Sequence, residues 1–106
     1  MRILIDECID ERLRHEFPAH DCETARYAKL AGLKNGDLLA AAEAAGFDVF
    51  ITIDQNIPFQ QNFSSRTIAV LILCAPTNRL ADLRKIVPGA LAALASIKPG
   101  EVARIS

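Results

Sequence analysis

Five side chains in this sequence have the types and positions for hard-cation chemistry: Asp6, Glu7, Asp37, Asp54 and Asn56. Asp6 and Glu7 directly follow the apolar run Ile3-Leu4-Ile5, and Asp54 closely follows Val49-Phe50-Ile51. Asn56 lies just beyond Asp54, and Asp37 closes the segment Lys34-Asn35-Gly36-Asp37 between the two runs. If the two runs are neighbouring parallel strands, their carboxyl ends share one crevice, the usual ligand position in an open α/β sheet. Carboxylate and amide oxygens gathered there suit Mg²⁺ or Mn²⁺. Without a cation such acids repel one another, and the pKa of one rises. With a cation they can hold a phosphodiester and acidify a water molecule. In that arrangement Asp6, Asp37, Asp54 and Asn56 are the candidate metal ligands. Glu7 is the candidate to orient or deprotonate the water, so the catalytic set is Asp6, Glu7, Asp37 and Asp54. Each residue also has a plainer reading. Asp37 can be a helix cap, Glu7 a solvated first-turn residue, and Asp6, Asp54 and Asn56 turn formers.

Whether these groups meet depends on how the chain alternates strand and helix. The run from Ile3 to Ile5 predicts a central strand buried on both faces. Ile9, Leu13 and Phe17 recur at helical spacing among charged residues, which predicts an amphipathic helix closed by Pro18. A short edge strand is expected around Cys22, Thr24 and Ala25, followed by a loop or helical turn from Tyr27 to Leu33. Leu38, Leu39, Ala42 and Ala45 predict the next helix, with Asp37 in its cap or first turn and Gly46 as its stop. The third strand is the run ending near Asp54. Pro58 is expected to open a turn or helical segment carrying Gln60, Gln61 and Asn62. Ile68 to Leu73 predicts a fourth strand, and Leu80, Leu83, Ile86 and Val87 a helix capped by Thr77 or Asn78. Pro88 is read as a break, with a further helix carrying Leu91, Leu94 and Ile97 inward. Lys98-Pro99-Gly100 then turns the chain into an edge strand over Glu101 to Ile105. This alternation predicts a single α/β domain, residues 1–106, with a mainly parallel sheet.

The bulk composition narrows the function classes. Apolar residues make up 51% of 106 residues, which excludes a disordered chain and supports one hydrophobic core. A formal net charge of −1 provides no general basic field for nucleic acid, so any such contact must be local. Arg2, Arg12, Arg14, Arg26, Lys29 and Lys34 concentrate positive charge in the first third, as a solvated face or a phosphate-contacting patch. The three cysteines, Cys8, Cys22 and Cys74, lack metal spacing and read as reduced, buried thiols of a cytoplasmic protein. His15 and His20 read as surface residues. The N-terminus runs straight into Met1-Arg-Ile-Leu-Ile-Asp6 without a signal peptide, and no apolar run is long enough to span a membrane.

Three stretches carry a resemblance: Asp6-Glu7 after the first strand, Lys34-Asn-Gly-Asp37-Leu at a helix start, and Thr52-Ile-Asp54-Gln-Asn56. In order and spacing they resemble the small bacterial PIN-like proteins, relatives of the PIN (PilT N-terminus) ribonucleases that include VapC-type toxins. The similarity runs through the GFDVFITIDQNIPFQQN block to the closing KPGE segment. The resemblance implies a PIN-like three-layer α/β/α sandwich. It implies an acidic cluster at Asp6, Asp37 and Asp54, with Glu7 and Asn56 as lesser members, and cleavage of RNA with Mg²⁺ or Mn²⁺. It also implies an antitoxin protein encoded nearby and a homodimer. The sequence departs from many relatives in having Asn56 where they carry a second Asp, and an amide brings no charge to a metal.

Three functions follow as expectations. The first is a metal-dependent endoribonuclease, acting as the toxin of a toxin–antitoxin pair. The second is a non-catalytic binding module that keeps the fold with a weakened acidic site. The third is a phosphoacceptor receiver domain, with Asp54 as acceptor and Lys98-Pro99 as the late lysine. The third is opposed by Lys98 preceding a strand rather than following one, and by Cys74-Ala75-Pro76 replacing a hydroxyl after the fourth strand.

Overall fold

Neighbouring residues of each central strand point to opposite faces, and both faces are apolar. In β1 (Arg2–Ile5), Ile3 and Ile5 enter one core while Leu4 enters the other. In β3 (Val49–Thr52), Val49 and Ile51 take the first side and Phe50 the second. β4 (Ala69–Leu73) repeats the pattern, with Ala69, Leu71 and Leu73 opposite Val70 and Ile72. Such double-sided burial demands a parallel sheet with a layer on each face. A computed structural model, describing residues 1–33, 35–57 and 65–106, has that architecture. Five parallel strands run in the order β2-β1-β3-β4-β5, with β2 (Asp21–Thr24) and β5 (Val102–Ile105) at the edges. α1 (Asn35–Ala44) covers one face through Leu38, Leu39 and Ala42. α2 (Leu80–Leu94) covers the other through Leu83, Val87, Ala90 and Leu94, beside Ile9, Leu13 and Phe17. The expected α/β class and sandwich layering are therefore present, and the sheet is wholly parallel. Phe50, Ile51, Leu71 and Ile72 are each at most 1% exposed, and full burial of such a side chain stabilises by about 1.5–3 kcal/mol.

The helices depart from the sequence expectations in three places. The segment carrying Leu13 is a 3₁₀ helix, Glu11–Glu16, rather than an α-helix. Asp10 caps it by accepting the Arg12 N–H at 3.0 Å. Pro18 disfavours helical backbone at Phe17, whose φ of −122° ends the segment, so only a short, tight helix fits. Next, α2 does not break at Pro88 but continues from Leu80 to Leu94. Pro88 is exposed, so the carbonyl it leaves unpaired can reach water, while Val87 and Ala90 hold both halves on the same core. Finally, Arg79 is the N-cap of α2, without a side-chain bond of its own. Thr77 acts one step removed, accepting the Arg79 N–H at 3.1 Å and donating its hydroxyl to Asp82.

Gly46 ends α1 as expected, with φ at +86°. The Gly46 N–H reaches the Glu43 carbonyl and the Phe47 N–H reaches that of Ala42, each at 3.0 Å, a Schellman closure. Phe47 is thereby turned into the core beneath the Arg2 guanidinium, 4.5 Å from its ring centre. The segment predicted from Pro58 through Asn62 lies outside the described residues. Among the described residues no helix is long and apolar enough to cross a membrane.

Candidate functional site

The strand order fixes where a site belongs. β1 pairs with β2 on one side and β3 on the other, so the connections leave in opposite directions. The crevice at the carboxyl ends of β1 and β3 is the topological switch point of this sheet. Asp6 and Glu7 leave β1 there, and Thr52 ends β3 there with Asp54 just beyond. The backbone joins the two ends directly, the Asp6 N–H donating to the Ile51 carbonyl at 2.9 Å.

Thr52 is the hub. It is fully buried at 0% exposure. Its hydroxyl donates to Asp6 Oδ2 at 2.7 Å and accepts the Asp54 N–H at 3.1 Å. One hydroxyl thus orients the carboxylate after β1 and the backbone that carries the carboxylate after β3. Asp54 Oδ1 in turn accepts the Asn56 N–H at 2.9 Å, closing a turn. Asp6, Glu7, Thr52 and Asp54 line one cleft of about 220 Å³ against Leu38, Phe50 and Ile57. Glu7 Oε1 accepts the Gly32 N–H at 3.4 Å, which ties this rim to the loop after β2.

Asp6, Glu7 and Asp54 are therefore brought to one cleft. Asp37 stands apart from its lining: it is exposed in the first turn of α1, where the next residue, Leu38, faces the cleft instead. Asn56 is exposed, and its described role is the backbone bond to Asp54. Among the described residues, no three His, Cys, Asp or Glu side chains stand close enough together to enclose a metal ion. A Mg²⁺-type cation needs less than such a cage, since one or two carboxylates with water and substrate phosphate commonly suffice. Asp6 and Asp54, at the two strand ends, suit that role. Asp6 accepts from Thr52 on Oδ2 and Asp54 accepts the Asn56 N–H on Oδ1, so each has a second carboxylate oxygen to offer a cation.

The cysteines depart from the expectation of buried thiols. Cys8 is exposed, Cys22 and Cys74 are half-buried, and all three are free. Desolvation of its sulfur, then the charge and hydrogen bond of nearby Asp6, push the Cys8 thiol up to about 11. Burial, then the Asp21 charge, pushes the Cys22 thiol up to about 12. Both stay protonated at neutral pH. Two of the basic residues of the first third are taken up by local partners, and Lys34 lies outside the described residues. Arg2 faces Asp21 and Glu23 and donates to the Ala45 carbonyl, while Arg12 pairs with Asp10 at 2.6 Å. His15 is exposed and His20 half-buried at the surface, 3.5 Å from the N-terminal amine.

In the sequence Thr52 carries no chemical signal of its own, because a β-branched residue at a strand end reads as strand. The available signal was its spacing, two residues before Asp54 and at the same sheet end as Asp6. No family model matches this chain, and neither a curated protein nor a solved structure does.

Proposed function

We propose that the protein is a divalent-cation-dependent endoribonuclease whose site is the β1/β3 switch point. The observation that carries this reading is the convergence of Asp6, Glu7 and Asp54 on one cleft, with Thr52 fixing the strand ends. Asp6 and Asp54 would hold the cation, which when bound supplies positive charge against the phosphodiester and acidifies water. Asp37, in the first turn of α1, and Asn56 are outer candidates for the same ion. Glu7 stands on the rim as the base that takes the proton from the attacking water. Thr52 keeps Asp6 turned toward the cleft throughout. The fold by itself would serve equally well for a binding module, so the acids carry the proposal rather than the sheet.

The receiver reading has one feature in its favour, the order β2-β1-β3-β4-β5, which phosphoacceptor domains use. Against it, Lys98 precedes β5 and lines a hollow with Met1, Asp48 and Val49 at the opposite sheet end from Asp54. A lysine there cannot contact a phosphoryl group on Asp54.

The experiment is cleavage of a mixed-sequence RNA by purified protein with Mn²⁺ and with EDTA. Cleavage is expected with Mn²⁺ alone and is lost in Asp6→Asn and Asp54→Asn. Absence of cleavage by the parent protein, or cleavage undiminished in both variants, refutes the nuclease.

A further inference from the structure

The acidic cleft has a basic and aromatic neighbour that cation binding leaves unused. Directly after β2 the chain makes a tight turn from Thr24 to Leu30. The Tyr27 N–H donates to Thr24 Oγ1 at 3.2 Å and the Ala28 N–H to the Thr24 carbonyl at 3.0 Å. The Lys29 N–H reaches the Arg26 carbonyl at 3.1 Å, and the Leu30 N–H reaches that of Ala25 at 2.8 Å. Lys29 completes the turn in the left-handed region, with φ at +63°. The backbone is thus fixed, yet Arg26, Tyr27 and Lys29 all project into solvent. Tyr27 is 71% exposed, and among the described residues neither Arg26 nor Lys29 is in an ion pair. Arg26 lines a hollow of about 120 Å³ with Thr24, Ile9 and the carboxylates Glu7 and Glu11, and Glu7 also lines the acidic cleft. The turn and the cleft are therefore contiguous through one residue.

An exposed phenol ring flanked in sequence by two cations, beside the proposed phosphodiester site, matches the way unpaired bases are held. The ring takes the π-face of a base and the cations take the phosphates on either side. A duplex keeps those π-faces inside its own stack. We propose that the turn from Thr24 to Leu30 is the substrate arm of the site, gripping an unpaired stretch of the RNA. Tyr27 stacks on an unpaired base next to the scissile phosphate, and Arg26 and Lys29 contact the adjoining phosphates. The assignment rests on the nuclease reading for where the scissile phosphate lies.

The sequence supplies its own reporter, because Tyr27 is the single tyrosine and there is no tryptophan. Its intrinsic emission therefore reads this one ring. The experiment titrates a short fluorescein-labelled single-stranded RNA into the protein with Ca²⁺, following anisotropy and, with unlabelled RNA, tyrosine emission. The emission is expected to be quenched on binding. Tyr27→Ala should weaken binding by about 10-fold while Tyr27→Phe retains it, as base stacking on an aromatic ring implies. Arg26→Ala should weaken it and lower the slope of log affinity against log salt by about one. The same strand annealed to its complement should bind more weakly. Because Tyr27 and Arg26 are exposed, these variants keep the fold, which the melting temperature checks.

Unchanged RNA affinity in Tyr27→Ala, or equal affinity for duplex, overturns the assignment. So does a Tyr27→Ala variant that changes the oligomeric state on size exclusion while leaving RNA binding intact, which would make the turn a protein contact. Cleavage with Mn²⁺ is scored separately. A protein that cleaves but does not need Tyr27 keeps the nuclease and loses the arm. A protein that binds RNA through Tyr27 without cleaving keeps the arm and loses the nuclease. A protein that does neither loses both.

Discussion

Replacing Thr52 with valine tests the hub of the site with little change of shape. Valine keeps the β-branched form that suits the end of β3, and the position is fully buried at 0% exposure. What disappears is the hydroxyl that donates to Asp6 Oδ2 at 2.7 Å and accepts the Asp54 N–H at 3.1 Å. A hydrogen bond to a carboxylate contributes about 1.5–3 kcal/mol and a neutral one about 1 kcal/mol. The added buried methyl returns about 1 kcal/mol. The net loss is about 1.5–3 kcal/mol, which for a domain of this size lowers the melting temperature by roughly 10 °C. Urea denaturation followed by circular dichroism measures it, with Thr52→Ser as the control that keeps the hydroxyl. The serine variant should lose about 1 kcal/mol for its missing buried methyl and keep both bonds. If Thr52→Val is as stable as Thr52→Ser, the hydroxyl does not join the two strand ends, and the reasoning fails.

The remaining predictions concern stability away from the cleft. Glu43 near the end of α1 is held by Arg66 Nη1 and the Thr67 N–H, both at 2.6 Å, and by the Thr67 hydroxyl at 2.9 Å. Although burial works against the charge, these donors and the Ile68 N–H hold its carboxyl down at about 2, against an ordinary 4.5. Its stabilisation is therefore complete above about pH 4.5 and is lost as pH falls toward 2, because the unfolded chain takes up the proton first. Urea melts at successive pH values should show Glu43→Gln less stable at neutral pH by roughly 2 kcal/mol and less sensitive across that acid window. Pro88→Ala should stabilise the protein by about 1–3 kcal/mol, since the helix already runs through the position and alanine restores a donor. A chemical melt showing no gain would mean that proline's rigidity of the unfolded chain outweighs the missing bond.

The sheet was legible because its residues leave one solution. Ile3 to Ile5, Val49 to Ile51 and Ile68 to Leu73 are apolar at successive positions, and only strands with a layer on each face bury both sides. The helical connections were less legible because local rules compete there. Ile9, Leu13 and Phe17 have helical spacing, but Asp10 and Pro18 restrict the segment to a short 3₁₀ helix. Pro88 carries a breaking signal, which the packing of Val87 and Ala90 overrides. In the site, Asp6, Glu7 and Asp54 could be anticipated because a strand end fixes position. Asp37 could not, because a helix N-terminus leaves the direction of a side chain open by a full turn, and here Leu38 takes the cleft. Thr52 was illegible for another reason: its bond to Asp6 joins segments far apart in sequence.

In the proposed site, the switch point between β1 and β3 holds a divalent cation through Asp6 and Asp54. Isothermal titration of Mn²⁺ into the parent protein, Asp6→Asn and Asp54→Asn tests it without any assumption about substrate. Saturable binding by the parent is expected, weakened by about 10-fold or more in either variant, because one of a few charged ligands is neutralised. No saturable binding by the parent, or binding equally strong in both variants, would contradict it.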